Sequence, residues 1–122
     1  ARGGVHMVLA RRGGRVTIDF DEGPPENYCR PAVDVMFRSA AEVWPGGLLA
    51  VVLTGMGRDG VAGARVILDK GGTVITQDEA TCLFLGMPGA VVEAGLSEET
   101  LPLDRLAANV FKRLDHGAGG HR

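Results

Sequence analysis

The chain has 122 residues, a formal net charge of -2, 45% hydrophobic and 23% charged residues. That mix suits one domain with a real core and excludes wholesale disorder. The faintly acidic balance lacks the basic footprint of a nucleic-acid binder. The longest apolar run, Leu48 to Leu53, is far short of the ~20 residues of a membrane span, so no insertion is expected. Glycine is the outlier, 19 residues without a three-residue period, which implies tight turns and excludes collagen. Cys29 and Cys82 are too far apart for a metal knuckle or a redox CxxC, so a reducing cytoplasm is expected. The basic, polar N-terminus is followed by no apolar leader core. The chain opens Ala1-Arg2-Gly3, which reads as a processed or cut end.

Residues 5–10 read as a strand. Arg12-Gly13-Gly14-Arg15 supplies a turn, and Val16, Ile18 and Phe20 alternate with Thr17 and Asp19, predicting a hairpin with one buried face. Prolines 24, 25 and 31 mark residues 23–31 as a stiff, irregular loop. Pro31 opens a helix carrying Val33, Met36, Phe37, Ala40 and Trp44 on one side, with Asp34 in its first turn, and Pro45-Gly46-Gly47 ends it. The apolar run 48–53 predicts a strand covered on both faces, as in parallel sheets. A glycine-rich loop, Thr54 to Gly60, leads to a helix over 61–70, then Gly71-Gly72 and a strand over 73–76. This is a right-handed βαβ unit. Asp78 and Glu79 suit the start of a helical turn. A short helix is expected over 90–94. A last helix opens near Pro102, with Leu103, Leu106, Ala107, Val110, Phe111 and Leu114 as its apolar stripe. Residues 115–122 read as a flexible tail, leaving 1–114 as the domain.

In open α/β sheets, chemistry gathers beyond the carboxyl ends of the strands, here at Gly55 to Gly60. Three readings are open. Gly55, Gly57 and Gly60 match G-x-G-x-x-G between strand and helix, with Asp78 following as a ribose-binding acid, although the Asp59 carboxylate would stand where a pyrophosphate docks. Alternatively Asp59 orients the imidazole of a hydrolytic triad, beside free N–H groups that form an oxyanion hole. Or Asp59 simply caps the helix of residues 61–70. The triad reading requires that Asp59 not be walled off from every cleft with its oxygens held by neighbouring amides alone.

Several segments together resemble the C-terminal part of the chemotaxis protein-glutamate methylesterase (CheB) catalytic domain. They are Asp21-Glu22-Gly23-Pro24-Pro25, the run from Arg30-Pro31 to Arg38-Ser39, Leu53-Thr54-Gly55-Met56-Gly57-Arg58-Asp59-Gly60, Gln77-Asp78-Glu79-Ala80-Thr81-Cys82 and Gly86-Met87-Pro88. The resemblance implies a three-layer, Rossmann-like α/β fold, with a mainly parallel sheet, helices on both faces, an antiparallel hairpin near the start and the N-terminal part missing. It implies hydrolysis of glutamate methyl esters on chemoreceptor helices, and deamidation of glutamines, by a Ser-His-Asp mechanism without cofactor or metal. Asp59 inherits the role of the triad acid, and the Met56 N–H a share of the oxyanion hole. The competing reading of Met56 is apolar packing under the loop. Arg30 is a candidate for meeting an acidic receptor surface, or is a solvated loop residue. Implied partners are the chemoreceptor cytoplasmic helices and a phosphorylatable receiver domain.

The chain departs from the family pattern in lacking a serine on a nucleophile elbow. Ser39 lies mid-helix and Ser97 in a loop, and neither sits in G-x-S-x-G. His6 reads as a half-exposed strand residue, while His116 and His121 fall in the expected tail. Ala32 stands where the family often has serine, and Arg58 where a small polar residue is usual. The isolated chain is therefore expected to be inactive. A non-catalytic interaction fragment remains the alternative from another class.

Overall fold

The computed structural model describes residues 3–120, with side chains as far as Asp115. Strands β1 (His6–Arg12) and β2 (Arg15–Asp21) form an antiparallel hairpin with Leu9 opposite Ile18. Helix α1 (Val33–Val43) follows, then β3 (Leu49–Val52), α2 (Val61–Asp69), β4 (Thr73–Gln77), a 3-10 turn over Glu79–Thr81, α3 (Gly86–Glu93), β5 (Glu99–Leu101) and α4 (Leu103–Gly120). Strands β3, β4 and β5 pair in that order, all parallel. The expected class, a parallel sheet with helices and a leading hairpin, is the one found.

The core explains why these segments fold together. Phe37 and Ala41 from α1, Ala64 and Ile67 from α2, and Val91 from α3 pack against Ala50, Val52 and Val74 of the sheet. Val74, Ile75, Thr76 and Gln77 are each 2% exposed or less. Successive strand residues face opposite ways, so β4 is covered on both faces. Edge strand β3 departs from expectation. Ala50 and Val52 are buried, but Leu49 and Val51 are only half-buried and Leu53 is exposed.

The hairpin also differs from its predicted pattern. Ile18 and Phe20 are 59% and 52% exposed, while Thr17 and Asp19 are half-buried. Alternation identifies two faces but not which one meets the core. Here the hairpin attaches to α1 through β1. Leu9 N–H donates to Ser39 Oγ at 2.9 Å and the Arg11 guanidinium to the Val43 carbonyl at 2.9 Å. Asp19 keeps a partner in Arg12.

Two elements escaped the sequence pattern. Strand β5 has three residues, too few to show a period, and is fixed by flanking bonds from Asp78 N–H to the Leu101 carbonyl and from Glu98 N–H to the Val74 carbonyl, both 2.8 Å. Helix α3 starts at Gly86 rather than Ala90, with Pro88 in the first turn, where a missing N–H costs nothing. The backbone of α4 is helical to Gly120, past the expected start of the tail at Asp115. Residues 121 and 122 of that tail lie outside the described residues.

Helices α1 and α2 approach through Gly63. A Cβ there would meet Phe37 Cβ at 2.5 Å and Asp34 Cα at 3.1 Å. Gly63→Ala gains about 1 kcal/mol of helix propensity. It incurs overpacking of about 1–3 kcal/mol and strains a charge-assisted hydrogen bond worth about 1.5–3 kcal/mol. The expected outcome is a lower urea midpoint at unchanged slope, and an unchanged midpoint would contradict this packing.

Candidate active site

The first turns of α1 and α2 lie side by side, and each is capped by an acid from the other's sequence neighbourhood. Asp59, the residue before the N-cap of α2, accepts from Val33 N–H at 2.6 Å through Oδ2 and from Asp34 N–H at 3.0 Å through Oδ1. Asp34, in the first turn of α1, accepts from Gly60 N–H at 3.0 Å and Gly63 N–H at 2.7 Å through Oδ1. The Asn27 amide stands between them, donating to Asp34 Oδ2 at 2.7 Å and, at 3.5 Å, to Asp59 Oδ1. Asp34 and Asp59 are 3% and 5% exposed. Two buried like charges repel, and these amide donors offset that repulsion at the positive ends of two helices.

Capping is thus reciprocal. The expectation that Asp59 caps residues 61–70 is corrected: Asp59 caps α1, and Asp34 serves α2. The N-cap of α1 is Ala32, which has no side chain able to cap, so Asp59 supplies what a serine there would. Ala32 N–H is in turn accepted by His6 Nδ1 at 3.1 Å, with His6 Nε2 2.8 Å from the Pro24 carbonyl. His6 is 2% exposed, not half-exposed as its strand position implied. Its ring thus takes the amide that immediately precedes α1.

The dinucleotide reading fails on the same geometry. A pyrophosphate needs the free amides of the α2 N-terminus, but Gly60 and Gly63 already donate to Asp34. Asp78, the proposed ribose acid, caps the 3-10 turn, its Oδ1 accepting from Thr81 N–H at 3.1 Å and Thr81 Oγ1 at 2.7 Å.

The loop before Asp59 is clamped from the α3 side. Gly55 N–H donates to the Phe84 carbonyl at 3.1 Å, Met87 N–H to the Gly55 carbonyl at 2.9 Å, and Thr54 N–H to Gln77 Oε1 at 2.8 Å. Gly86 is the seat: a Cβ there would lie 2.9 Å from the Gly55 carbonyl oxygen and from the Gly57 nitrogen. So held, the loop leaves the Met56 and Gly57 N–H groups without an acceptor among the described residues. The Met56 side chain is 71% exposed, which corrects the reading that it packs under the loop. Gln77, Thr54 and Gly86 are the supporting residues that motif spacing alone did not single out.

A cavity of about 670 Å³ opens beyond the carboxyl ends of β4 and β5, lined by Gly57, Arg58, Asp78, Glu79, Gly86 and Glu93 among others. Asp59 does not line it. The requirement set for the triad reading is not met by these residues: Asp59 is 5% exposed and every donor to its oxygens among the described residues is an amide. The Asp59 oxygens are held by amides, yet Oδ2 accepts one donor and a carboxylate oxygen has room for two.

Arg30 is exposed and its Nη1 donates to the Glu22 and Gly23 carbonyls, both at 3.3 Å, bracing the loop. Arg58 is exposed. Ser39 Oγ donates to the Met36 carbonyl, and Ser97 Oγ to the Glu99 carbonyl. Burial pushes the half-buried Cys82 thiol above its ordinary pKa, which makes it a poor nucleophile. Among the described residues no group of acidic, histidine or cysteine side chains could hold a metal, and no helix is long and apolar enough to cross a membrane.

A parallel sheet with a glycine-rich strand-to-helix loop beside a buried pair of acids defines an α/β domain with a candidate site at that loop. The comparisons agree with that class. The family profile described as CheB methylesterase matches residues 1–110, and the chain belongs to that family. It is 54% identical over 112 residues to the protein-glutamate methylesterase/protein-glutamine glutaminase of group 2 operon of Rhodopseudomonas palustris, covering 92% of this chain and 29% of that protein. It is 54% identical over 114 residues to the protein-glutamate methylesterase/protein-glutamine glutaminase 2 of Caulobacter vibrioides, covering 93% and 33%. The crystal structure of the Thermotoga maritima CheB methylesterase catalytic domain matches with a TM-score of 0.90 and 38% identity, over 92% of this chain and 59% of that one. The chain thus spans about a third of the length of these curated relatives.

Removing the Asp59 carboxylate leaves two amides of α1 without their partner. Asp59→Ala is expected to lower stability by about 2–3 kcal/mol in urea unfolding. Exposed Arg58→Ala should stay within about 0.5 kcal/mol. Equal, small effects would show that the reciprocal caps carry no stability.

Proposed function

We propose that this chain supplies the acid and the oxyanion loop of a carboxyl-ester hydrolase that demethylates glutamate methyl esters on chemoreceptor helices and deamidates receptor glutamines in the cytoplasm. The observation that supports the reading is that Asp59 Oδ2 accepts a single donor, beside a loop whose Met56 N–H has no acceptor among the described residues. The nucleophilic serine and the histidine come from a polypeptide segment other than these 122 residues.

In this mechanism the serine Oγ attacks the ester carbonyl carbon as the imidazole takes its proton. Asp59 Oδ2 accepts the opposite imidazole N–H, fixing the tautomer and stabilising the imidazolium. The carbonyl oxygen becomes an oxyanion facing the Met56 N–H. The imidazolium then protonates the departing methoxide, methanol leaves, and water hydrolyses the acyl-enzyme to free glutamate. With a glutamine the leaving group is ammonia. Low exposure of Asp59 suits the role, because an orienting carboxylate works best away from bulk water. Arg30 uses only Nη1 for the loop carbonyls. Nη2 and Nε remain to meet an acidic receptor surface. A phosphorylatable receiver domain, fused or separate, is the regulatory partner in this reading.

The test is a chimera in which these 122 residues replace the matching segment of the Rhodopseudomonas palustris relative. It is expected to release methanol from methylated receptor, and the 122-residue chain alone to release none. Asp59→Asn should lower kcat by roughly 10⁴-fold with the fold intact. A folded chimera that binds receptor but stays inactive would instead support the interaction-fragment reading, and full activity in Asp59→Asn would overturn the triad role.

A further inference from the structure

We infer that Asn27 and Asp34 are positioning residues for the Asp59 carboxylate, acting together as a brace between two helix ends. This rests on the triad reading of Asp59 and goes beyond it by naming what holds the acid in place.

The brace begins in the turn Glu26–Cys29. Its backbone closes on itself, with Glu26 N–H donating to the Cys29 carbonyl at 3.0 Å and Cys29 N–H to the Glu26 carbonyl at 2.8 Å. Both central residues are left-handed, Asn27 at φ 53 and Tyr28 at φ 63. Asparagine tolerates that conformation, whereas a bulky residue adopts it only where the surroundings impose it. The turn is anchored to α1 by Arg38, whose guanidinium donates to Glu26 at 2.6 Å and holds that carboxyl below its usual range. A strained turn, closed on itself and anchored through Glu26, thus aims one amide at two carboxylates. Tyr28, beside it, is fully exposed, so the turn is not shaped to bury an aromatic side chain.

Asp34 supplies the other half. Its Oδ1 takes the Gly60 and Gly63 amides, so the backbone on the C-terminal side of Asp59 is tied to α1. Asp59 returns the tie through the Val33 and Asp34 amides. The carboxylate is therefore fixed from its own side chain and from the following backbone. Helix capping alone would need neither the Asn27 bridge nor the second acid's Oδ2. The Asn27 amide donates to both carboxylates and so links the two acids directly, as groups that orient a functional side chain do.

The experiment uses the active chimera with methylated receptor as substrate. Asn27→Gly removes the amide while allowing the positive φ, and Asp34→Asn keeps one acceptor oxygen for the α2 amides. Each is expected to lower kcat about tenfold or more at unchanged KM, since small misplacements of catalytic groups are costly. In an Asp59→Asn background Asn27→Gly should cause no further loss, the coupling expected of residues that act as a unit. Unchanged kcat in Asn27→Gly, or the same loss in both backgrounds, would overturn the inference and leave the triad reading standing. Full activity in Asp59→Asn alone would instead remove that reading, and the inference with it. Asn27 is exposed, so its variant remains informative if Asp34→Asn fails to fold.

Discussion

Everything around the candidate site depends on the exchange of two carboxylates between two helix ends. Asp59 satisfies the first amides of α1, and Asp34 satisfies those of α2. Each bond to a charged acceptor is worth about 1.5–3 kcal/mol, and each buried amide left alone would cost a similar amount. Burying two acids side by side is tolerable only because amides surround both. The strand-to-helix loop is consequently a fixed object. On one side it is locked to α1, and on the other it rests on Gly86 and on the carbonyl of Phe84.

That rigidity links fold to function. Oxyanion stabilisation requires donors that do not reorganise when charge develops. An orienting acid requires a carboxylate that cannot rotate away from the imidazole. In the proposed mechanism the loop between β3 and α2 would meet both conditions with backbone amides and one side chain, and the nucleophile and base would arrive from another segment. The 670 Å³ cavity shares Gly57 and Arg58 with that loop, and Gly86, Gly89, Ala90, Val92 and Glu93 of α3 line its wall.

Much of this was legible in the residues and some was not. The βαβ unit showed itself through the apolar run 48–53, the glycine punctuation and the strand at 73–76, because those signals are local. The loop over 54–60 was located for the same reason, and Asp59 was picked out as its acid. Its capping partner is not legible in the residues. Sequence proximity pointed to α2, whereas the carboxylate turns to amides 25 and 26 positions away. Asp34 was read as a dipole acid for its own helix, although its oxygens serve another. His6 looked like an ordinary strand residue until α1 was packed over it. The exposure of Ile18 and Phe20 shows the same limit, since a period of two names the faces of a strand and only tertiary contact chooses between them. The three-residue β5 carried no pattern at all.

Amide hydrogen exchange in the 122-residue protein tests the central claim most directly. If the two caps form one unit, Asp59→Asn should accelerate exchange at Gly60 and Gly63 as well as at Val33 and Asp34, by a common factor. Faster exchange at Val33 and Asp34 alone, with Gly60 and Gly63 protected as before, would mean that the caps are independent and that Asp34 does not hold the acid in place.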